Sequence, residues 1–276
     1  MARTLRIMAA ALLAIAWTPR QISAQASKAA NLSKEDVKAV VAKYRTDDAA
    51  LQVRTWASQM TVPIVKSVDF REEVMSSLPP DLLKLRVKND ALVESLRQLW
   101  RPVLGLYGRE RVYEIVIIDH RTPLLMSDSG VALVVTTGML ERADSDDALL
   151  GVVAHEVAHE YFVKRSYETR QRYRLLAASE GDAGRALSSL AELSRIELEC
   201  DAFAAVTLAA IGRNPAEFAD ELVKTGREYG APYESYHPPG AQRKEVIVGV
   251  VPGEALKVKP RTSEAFKRMK VLLSKL

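Results

Sequence analysis

Apolar side chains recur at helical spacing along most of the chain and at strand spacing only near its middle. In the first part, Val37, Val40 and Tyr44 repeat every three or four residues. Ser33 precedes this repeat and forms, with Asp36, the capping-box pattern of a helix start. The pattern therefore predicts a helix that begins just after Ser33.

The middle of the chain changes from helical to strand patterning. Leu82 to Leu99 predicts a helix that ends before Pro102, because proline lacks the N–H that a helix interior needs. Val112 to Ile118 and Gly130 to Thr137 are rich in β-branched residues and predict two strands. Arg121 to Ser129 is expected to join them as a loop or hairpin connection.

Two strong helical segments follow the strands. The first is capped by Ser145 and runs to about Val163, and the second covers about Arg185 to Ile211. Residues 165–185, between them, are polar and predict a mobile lid or flap. Residues 229–242 are rich in turn formers, and a last helix is expected after Ser263.

The first residues have the pattern of a secretory signal peptide. Arg3 and Arg6 precede the apolar run Ile7 to Trp17, which is shorter than the roughly 20 residues that span a bilayer. Cleavage is predicted after Ala24, with Ala26 as second choice, and no cysteine follows that would carry a lipid anchor. The alternative is an amphipathic first helix. Secretion across the inner membrane to the periplasm is expected.

Removal of residues 1–24 changes the charge balance. The chain has 39 Lys and Arg against 35 Asp and Glu, and three of the arginines lie in the leader, so the mature net charge is +1. This balance gives no support for nucleic-acid binding. The only cysteine, Cys200, allows no intramolecular disulfide, so stability must come from a core or a metal. No later segment is apolar enough to span a membrane, which predicts a soluble mature chain.

The remaining residues are predicted to form one domain, 25–276. It divides into a helical N-terminal part (25–110), a core that holds the candidate chemistry (111–245) and a C-terminal tail (246–276).

His155, Glu156 and His159 form the pattern HExxH within the first strong helix. Residues four apart share a helix face, so both imidazoles can reach one metal ion, while Glu156 is placed to take a proton from water. The neighbouring residues are apolar, and burial of ionisable groups costs several kcal/mol unless they are paired or metal-bound. The alternative is two core histidines, each with a hydrogen-bond partner.

The third metal ligand is predicted on the second strong helix. Arg165 stands where a further histidine would follow the pattern, whereas Glu197 and Asp201 are four apart among apolar residues. Glu197 can complete the site, and Asp201 can accept a hydrogen bond from a ligand histidine. The alternative is a surface acidic stripe.

Two neighbours of these carboxylates are given other roles. Glu199 is expected to point the other way and to be solvated. Cys200 is a competing soft ligand, but it shares the apolar face of Ile196 and Phe203, away from Glu197. It is interpreted as a small core residue.

These motifs resemble the HtpX/BepA-like family of zinc metalloproteases, relatives of the CAAX prenyl endopeptidases. The resemblance covers about residues 110–245. Besides HExxH and Glu-x-x-x-Asp-Ala-Phe-Ala, it rests on Val134 to Leu140, Asp147 to Glu156, and His237-Pro238-Pro239 with Arg243. There are two departures. Leu125 to Asp128 stands where the family has an Asn-Ala pair, and Lys244-Glu245 follows Arg243 instead of an apolar residue.

The resemblance implies an α+β, mainly α-helical fold of the zincin type, with an active-site helix, a small β-sheet and a second ligand-bearing helix. It implies one Zn²⁺ per chain on His155, His159 and Glu197, with Glu156 as catalytic base. His237 is implied to lie against the site, as an oxyanion donor or as a blocking ligand, and Arg243 to lie behind it. The strand Gly130 to Thr137 is expected to pair with an extended substrate.

The implied reaction is hydrolysis of internal peptide bonds in proteins or peptides, including misfolded envelope proteins. Two other classes stay open. A zinc aminopeptidase would remove residues stepwise from small peptides, whereas a zinc-stabilised periplasmic chaperone or binding module would have no turnover. Glu156 argues against the last class, because a structural metal site needs no base.

Overall fold

The chain forms many helices around one small sheet. The structure, a computed structural model, describes residues 32–60, 80–110, 112–128, 132–177, 183–229 and 237–276. The predicted leader, residues 1–24, lies outside these ranges. The helices are α1 (Lys34–Tyr44), α2 (Ala49–Gln59), α3 (Pro80–Lys84), α4 (Asp90–Leu106), α5 (Thr137–Arg142), α6 (Asp146–Tyr161), α7 (Val163–Ala177), α8 (Ala183–Ala210), α9 (Pro215–Tyr229), α10 (Gly240–Gly249) and α11 (Glu264–Leu273). The strands are β1 (Glu114–Ile118), β2 (Leu125–Asp128) and β3 (Ala132–Thr136).

A mainly helical fold is confirmed. Among the helices of the described ranges, none has the length and apolar character needed to cross a membrane.

Three predicted helix starts are confirmed by their caps. The Ser33 hydroxyl accepts the Asp36 N–H at 3.1 Å, and the Asp36 side chain completes the capping box. The side chains of Ser145 and Ser263 likewise accept a backbone N–H at the starts of α6 and α11. Each side chain satisfies a backbone N–H that has no partner within its own helix.

The helix around Pro102 differs from the prediction. It begins after Asn89 and continues through Pro102 to Leu106. Pro102 lies on the exposed side, where a carbonyl that loses its helical partner can bind water. The buried stripe continues past the proline with Val103 and Leu104, so packing maintains the helix.

Most of the segment 165–185, in which the sequence favours a mobile lid or flap, is helical. Residues 163–177 form α7, which packs against α8, and residues 178–182 lie outside the described ranges. The buried side of α7 includes Ser166 and Thr169, and Arg165 binds acidic residues of α8. The sequence of this segment is polar because α7 contacts α8 largely through small polar residues and ion pairs.

The sheet has the order β1-β3-β2, with β1 parallel and β2 antiparallel to β3. The two predicted strands are confirmed, and their connection contains the additional strand β2. Because β3 is paired on both sides, the prediction that this strand pairs with substrate was wrong. The edge strand beside α6 is β2.

Helix α6 lies in the core between α8, α9 and α4. A Cβ at Gly151 would lie only 2.3 Å from Cγ of Phe218, so the approach of α9 to α6 requires glycine there. Leu149, Val153 and Val157 are fully buried. The helix that carries HExxH is therefore held in a fixed position by packing on several sides.

Glu199 is not solvated, and that prediction was wrong. Glu199 is 2% exposed, and its carboxylate accepts two hydrogen bonds from Arg165, at 2.9 and 3.0 Å. Lys43 at 3.0 Å and the Tyr44 hydroxyl also donate to it. Burial would raise the pKa of Glu199, but these partners, chiefly Arg165 and Tyr44, bring it below its usual value. Glu199 therefore joins α1, α7 and α8.

We expect Glu199→Gln to lower the free energy of unfolding by about 2 kcal/mol at pH 7, because Arg165 loses a buried partner. Because the pKa of Glu199 is lower in the folded chain, its contribution to the free energy of unfolding is complete above the unfolded-state pKa of about 4.3. This contribution is lost as the pH falls through the pKa that Glu199 has in the folded chain. Urea unfolding between pH 3 and pH 7 should show the difference from wild type shrinking below about pH 4. Glu192→Gln, which removes a more exposed partner of Arg165, is the control, with an effect under about 1 kcal/mol. Equal stability of Glu199→Gln and wild type at pH 7 would contradict this role.

Candidate metal centre

Helices α6 and α8 bring the predicted ligands together. His155 and His159 lie one turn apart on α6, and Glu197 faces them from α8. One ligand atom from each of the three lies within 4.8 Å of the others. His155 and Glu197 are buried, whereas the His159 side chain is 20% exposed. The group can hold a metal ion, and one edge of it opens to solvent.

Three imidazole nitrogens converge on one oxygen of Glu197. Oε2 of Glu197 lies 3.2 Å from Nε2 of His155, 3.7 Å from Nε2 of His159 and 3.5 Å from Nε2 of His237. This oxygen is buried and has no hydrogen bond of acceptable geometry within the described ranges. A buried carboxylate oxygen without a partner is costly, and a cation among these atoms would satisfy it. The residues therefore fit a metal ion.

Asp201 and Arg243 support His155 from behind. Nδ1 of His155 lies 2.9 Å from Oδ1 of Asp201, and Arg243 donates to both oxygens of Asp201 at 2.7 Å. Burial would raise the pKa of Asp201, but the Arg243 guanidinium lowers it below its usual value. A carboxylate on Nδ1 leaves Nε2 for a metal. The alternative of a surface acidic stripe is wrong, because Glu197 and Asp201 are 3% and 0% exposed.

His159 has a softer neighbour. Its Nδ1 lies 3.6 Å from Sγ of Cys200. Cys200 is buried as predicted, but it is not remote from the candidate ligands, because its Sγ contacts His159. Burial and the nearby carboxylates raise the pKa of Cys200 well above its usual value, so it is a neutral thiol. A thiol is a weak acceptor, so the two imidazoles are supported unequally.

Glu156 is 8% exposed and is held by the edge strand β2. The Ser127 N–H donates to Oε2 of Glu156 at 2.8 Å, and the Ser127 hydroxyl donates to the Glu156 carbonyl oxygen at 3.2 Å. Burial raises the pKa of Glu156 to about 7, although His155 and Ser127 oppose that shift. Sequence reasoning missed Ser127. The only signal was its place in the segment that departs from the family's Asn-Ala pair.

The charges of the metal-free site follow from these contacts. Burial would lower the pKa of His155, but the adjacent carboxylates of Asp201 and Glu197 raise it to about 9. Burial lowers the pKa of His159 to about 3, against the effect of Glu197. Burial would raise the pKa of Glu197, but the imidazoles hold it well below its usual value. Near pH 7, His155 therefore carries a proton, whereas His159 and Glu197 do not.

A scan against models of protein families found no match for this chain, and neither did a search of curated proteins. The resemblance to the HtpX/BepA-like family therefore stays a prediction, and the functional argument rests on the site itself.

We expect metal binding at pH 7 to release about one proton, because His155 must lose its proton to become a ligand. Titration calorimetry of the metal-free protein with Zn²⁺, in buffers of different ionisation enthalpy, measures this number. As the pH increases towards 9, the apparent affinity for Zn²⁺ should rise about tenfold per pH unit, because a larger fraction of His155 is neutral. Asp201→Asn removes a charge that raises the pKa of His155, so metal binding to this variant should release fewer protons. Release of no proton by wild type would contradict the assignment of His155 as a ligand.

Proposed function

We propose that the chain is a zinc-dependent endopeptidase. The observation that carries the proposal is the convergence of His155, His159 and Glu197 from two helices, with a buried Glu156 next to His155 on the same helix. Two histidines and a glutamate are a ligand set of catalytic zinc sites, and three protein ligands leave a further position open. A site that serves only stability has no use for a carboxylate base beside an open position.

A zinc ion on these residues would supply electrophilic polarisation of the scissile carbonyl and a lower pKa for the attacking water. Glu156 then accepts the proton that water loses as its oxygen bonds to the carbonyl carbon. The same carboxyl group transfers that proton to the amide nitrogen as the C–N bond breaks. A pKa near 7 in the metal-free chain places Glu156 in the range that suits both tasks near neutral pH.

The edge strand β2 gives an extended substrate a place to bind. Ser127 of β2 is paired with Leu133 of β3 on one side of the strand. Its N–H points to the other side, towards α6, where it donates to Glu156. A peptide paired with this edge would have its backbone next to the catalytic carboxylate. Pairing through main-chain groups tolerates many side chains, which suits an enzyme that acts on unfolded or misfolded envelope proteins.

We expect the purified mature protein to contain about one zinc ion per chain and to cut casein at internal bonds. Replacement of His155, His159 or Glu197 by Ala should remove metal and activity together. Metal analysis and mass spectrometry of the casein fragments measure these outcomes, and stepwise loss of terminal residues would favour the aminopeptidase instead. Full zinc content in Glu197→Ala would remove Glu197 from the ligand set.

Glu156→Gln separates catalysis from metal binding. The amide keeps the shape of the side chain but cannot accept the water proton, so activity should fall by about two to four orders of magnitude with zinc retained. Casein digestion by metal-loaded protein measures the loss. Activity near that of wild type would refute the mechanism.

His237 is as close to the ligand carboxylate as His159 is, at 3.5 Å against 3.7 Å. This distance favours the blocking role, in which His237 takes the open position until substrate displaces it. His237→Ala should then retain zinc and show faster proteolysis, including self-cleavage. A fall of roughly a hundredfold would instead assign His237 as an oxyanion donor. Unchanged activity and zinc affinity would refute both roles.

A further inference from the structure

Helix α8 presents three polar side chains to α6 within about one turn. Glu197, Cys200 and Asp201 share a helix face, because Cys200 and Asp201 follow Glu197 by three and four residues. Oδ1 of Asp201 lies 2.9 Å from Nδ1 of His155, and Sγ of Cys200 lies 3.6 Å from Nδ1 of His159. Two adjacent residues of α8 therefore contact the same ring nitrogen of the two candidate ligand histidines.

The contact with Cys200 is on the side of the His159 ring that faces away from the ligand carboxylate. Nε2 of His159 lies 3.7 Å from Oε2 of Glu197, and this buried oxygen has no hydrogen bond within the described ranges. Sγ of Cys200 lies beside Nδ1 instead, and it is the one hydrogen-bond partner that the described residues give this nitrogen. The thiol is therefore placed to orient the ring, whereas Nε2 is placed to bind a metal ion.

A metal on Nε2 of a neutral imidazole requires that the ring proton is on Nδ1. A buried N–H without an acceptor costs free energy, and Cys200, which is 0% exposed, is the neighbour that can accept it. A thiol sulfur accepts such a hydrogen bond weakly, and its S–H can rotate to donate instead. Cys200 can therefore serve Nδ1 in the metal-free and the metal-bound chain, which an aliphatic side chain of similar size cannot do.

We propose that Cys200 is a positioning residue for His159, whose sulfur accepts the Nδ1–H hydrogen bond and holds the ring with Nε2 towards the metal. Asp201 has the same relation to His155, but with a stronger acceptor. The inference rests on the metal site of the proposed function and does not depend on peptidase activity. It gives the only cysteine of the chain a part in metal binding beyond that of a small core residue.

The first test compares the zinc affinities of wild type, Cys200→Ser, Cys200→Ala and a control variant. Serine keeps a group that can donate and accept at this position, whereas alanine removes it. The control is Ser189→Ala. Ser189 is also buried on α8, eleven residues before Cys200, and its hydroxyl donates to the Arg185 carbonyl of the same helix. Competition with a chromophoric zinc chelator measures each Kd.

We expect Cys200→Ala to raise the Kd for zinc by about tenfold. This is the low end of the range for loss of such a partner, because sulfur is a weak acceptor. Cys200→Ser should stay within about threefold of wild type, and Ser189→Ala should leave the Kd unchanged. An unchanged Kd in Cys200→Ala overturns the proposal. Equal weakening by serine and alanine also overturns it, because the sulfur would then serve packing alone.

A second measurement detects the hydrogen bond itself and begins with the wild-type chain. In zinc-loaded protein that carries ¹⁵N-labelled histidine, NMR should show the Nδ1–H of both His155 and His159, each protected from exchange with water. In Cys200→Ala the His159 resonance should be lost to exchange, while that of His155 remains. Loss of packing without loss of a hydrogen bond would not have this effect. Equal protection of His159 in wild type and Cys200→Ala would contradict the proposal.

Cobalt separates orientation of the ring from direct ligation by the sulfur. A thiolate bound to Co²⁺ gives an intense charge-transfer band in the near ultraviolet, whereas imidazole and carboxylate ligands do not. Cobalt-loaded wild type should therefore lack this band. Its presence would make Cys200 a metal ligand and overturn the positioning role.

The metal-free chain separates this proposal from the proposed function. If wild type takes up no zinc, the zinc-dependent enzyme fails as a proposal, but the imidazole ¹⁵N shifts of His159 still report the partner of Nδ1. Cys200→Ala should move these shifts, whereas Ser189→Ala should not. Unmoved shifts in Cys200→Ala would overturn the role of Cys200, whatever the fate of the peptidase.

Discussion

The burial of the Glu197 carboxylate between α6 and α8 is the constraint on which the rest of the site depends. One of its oxygens has no hydrogen bond among the described residues and lies within 3.7 Å of three imidazole nitrogens. Such an arrangement is stable only if positive charge sits among these atoms, as a proton on His155 or as a metal ion. In the metal-free chain the His155 proton supplies that charge, which is why the pKa of His155 is raised. A metal would replace this proton without moving the helices.

The surrounding fold keeps that carboxylate in place. Close packing at Gly151 fixes α6 against α9, and Arg243 ties α10 to Asp201 on α8. On the far side of α8, Glu199 joins the helix to α1 and α7. About one turn of α8, from Glu197 to Asp201, therefore makes three different ionic contacts. The helix cannot rotate or slide without breaking a buried pair, and this rigidity defines the geometry of the ligands.

The i, i+4 spacings on α6 and α8 predict which side chains share a face of each helix, because helical periodicity alone decides this, and the tertiary fold then brings the two faces together. The caps at Ser33, Ser145 and Ser263 were predictable for a similarly local reason. Glu199 was not, because its partners lie on α1 and α7, and only the tertiary fold places them there. Strand β2 was missed because Leu125 to Asp128 has no strict alternation of apolar and polar residues. Its pairing with β3 forms it, and Ser127 reaches Glu156 only as a result.

The two sides of the centre differ in a way that bears on how a substrate enters. On one side, His155 is only 5% exposed, and its Nδ1 lies 2.9 Å from the Asp201 carboxylate, which Arg243 holds in turn. On the other, the Cys200 thiol is the neighbour of Nδ1 of His159, the His159 side chain is 20% exposed, and Nε2 of His237 lies 3.5 Å from Glu197. The rigid side can keep the metal in position, while the open side can admit a peptide. Strand β2 meets the site at Glu156, so a peptide paired with this edge would have its backbone next to that carboxylate.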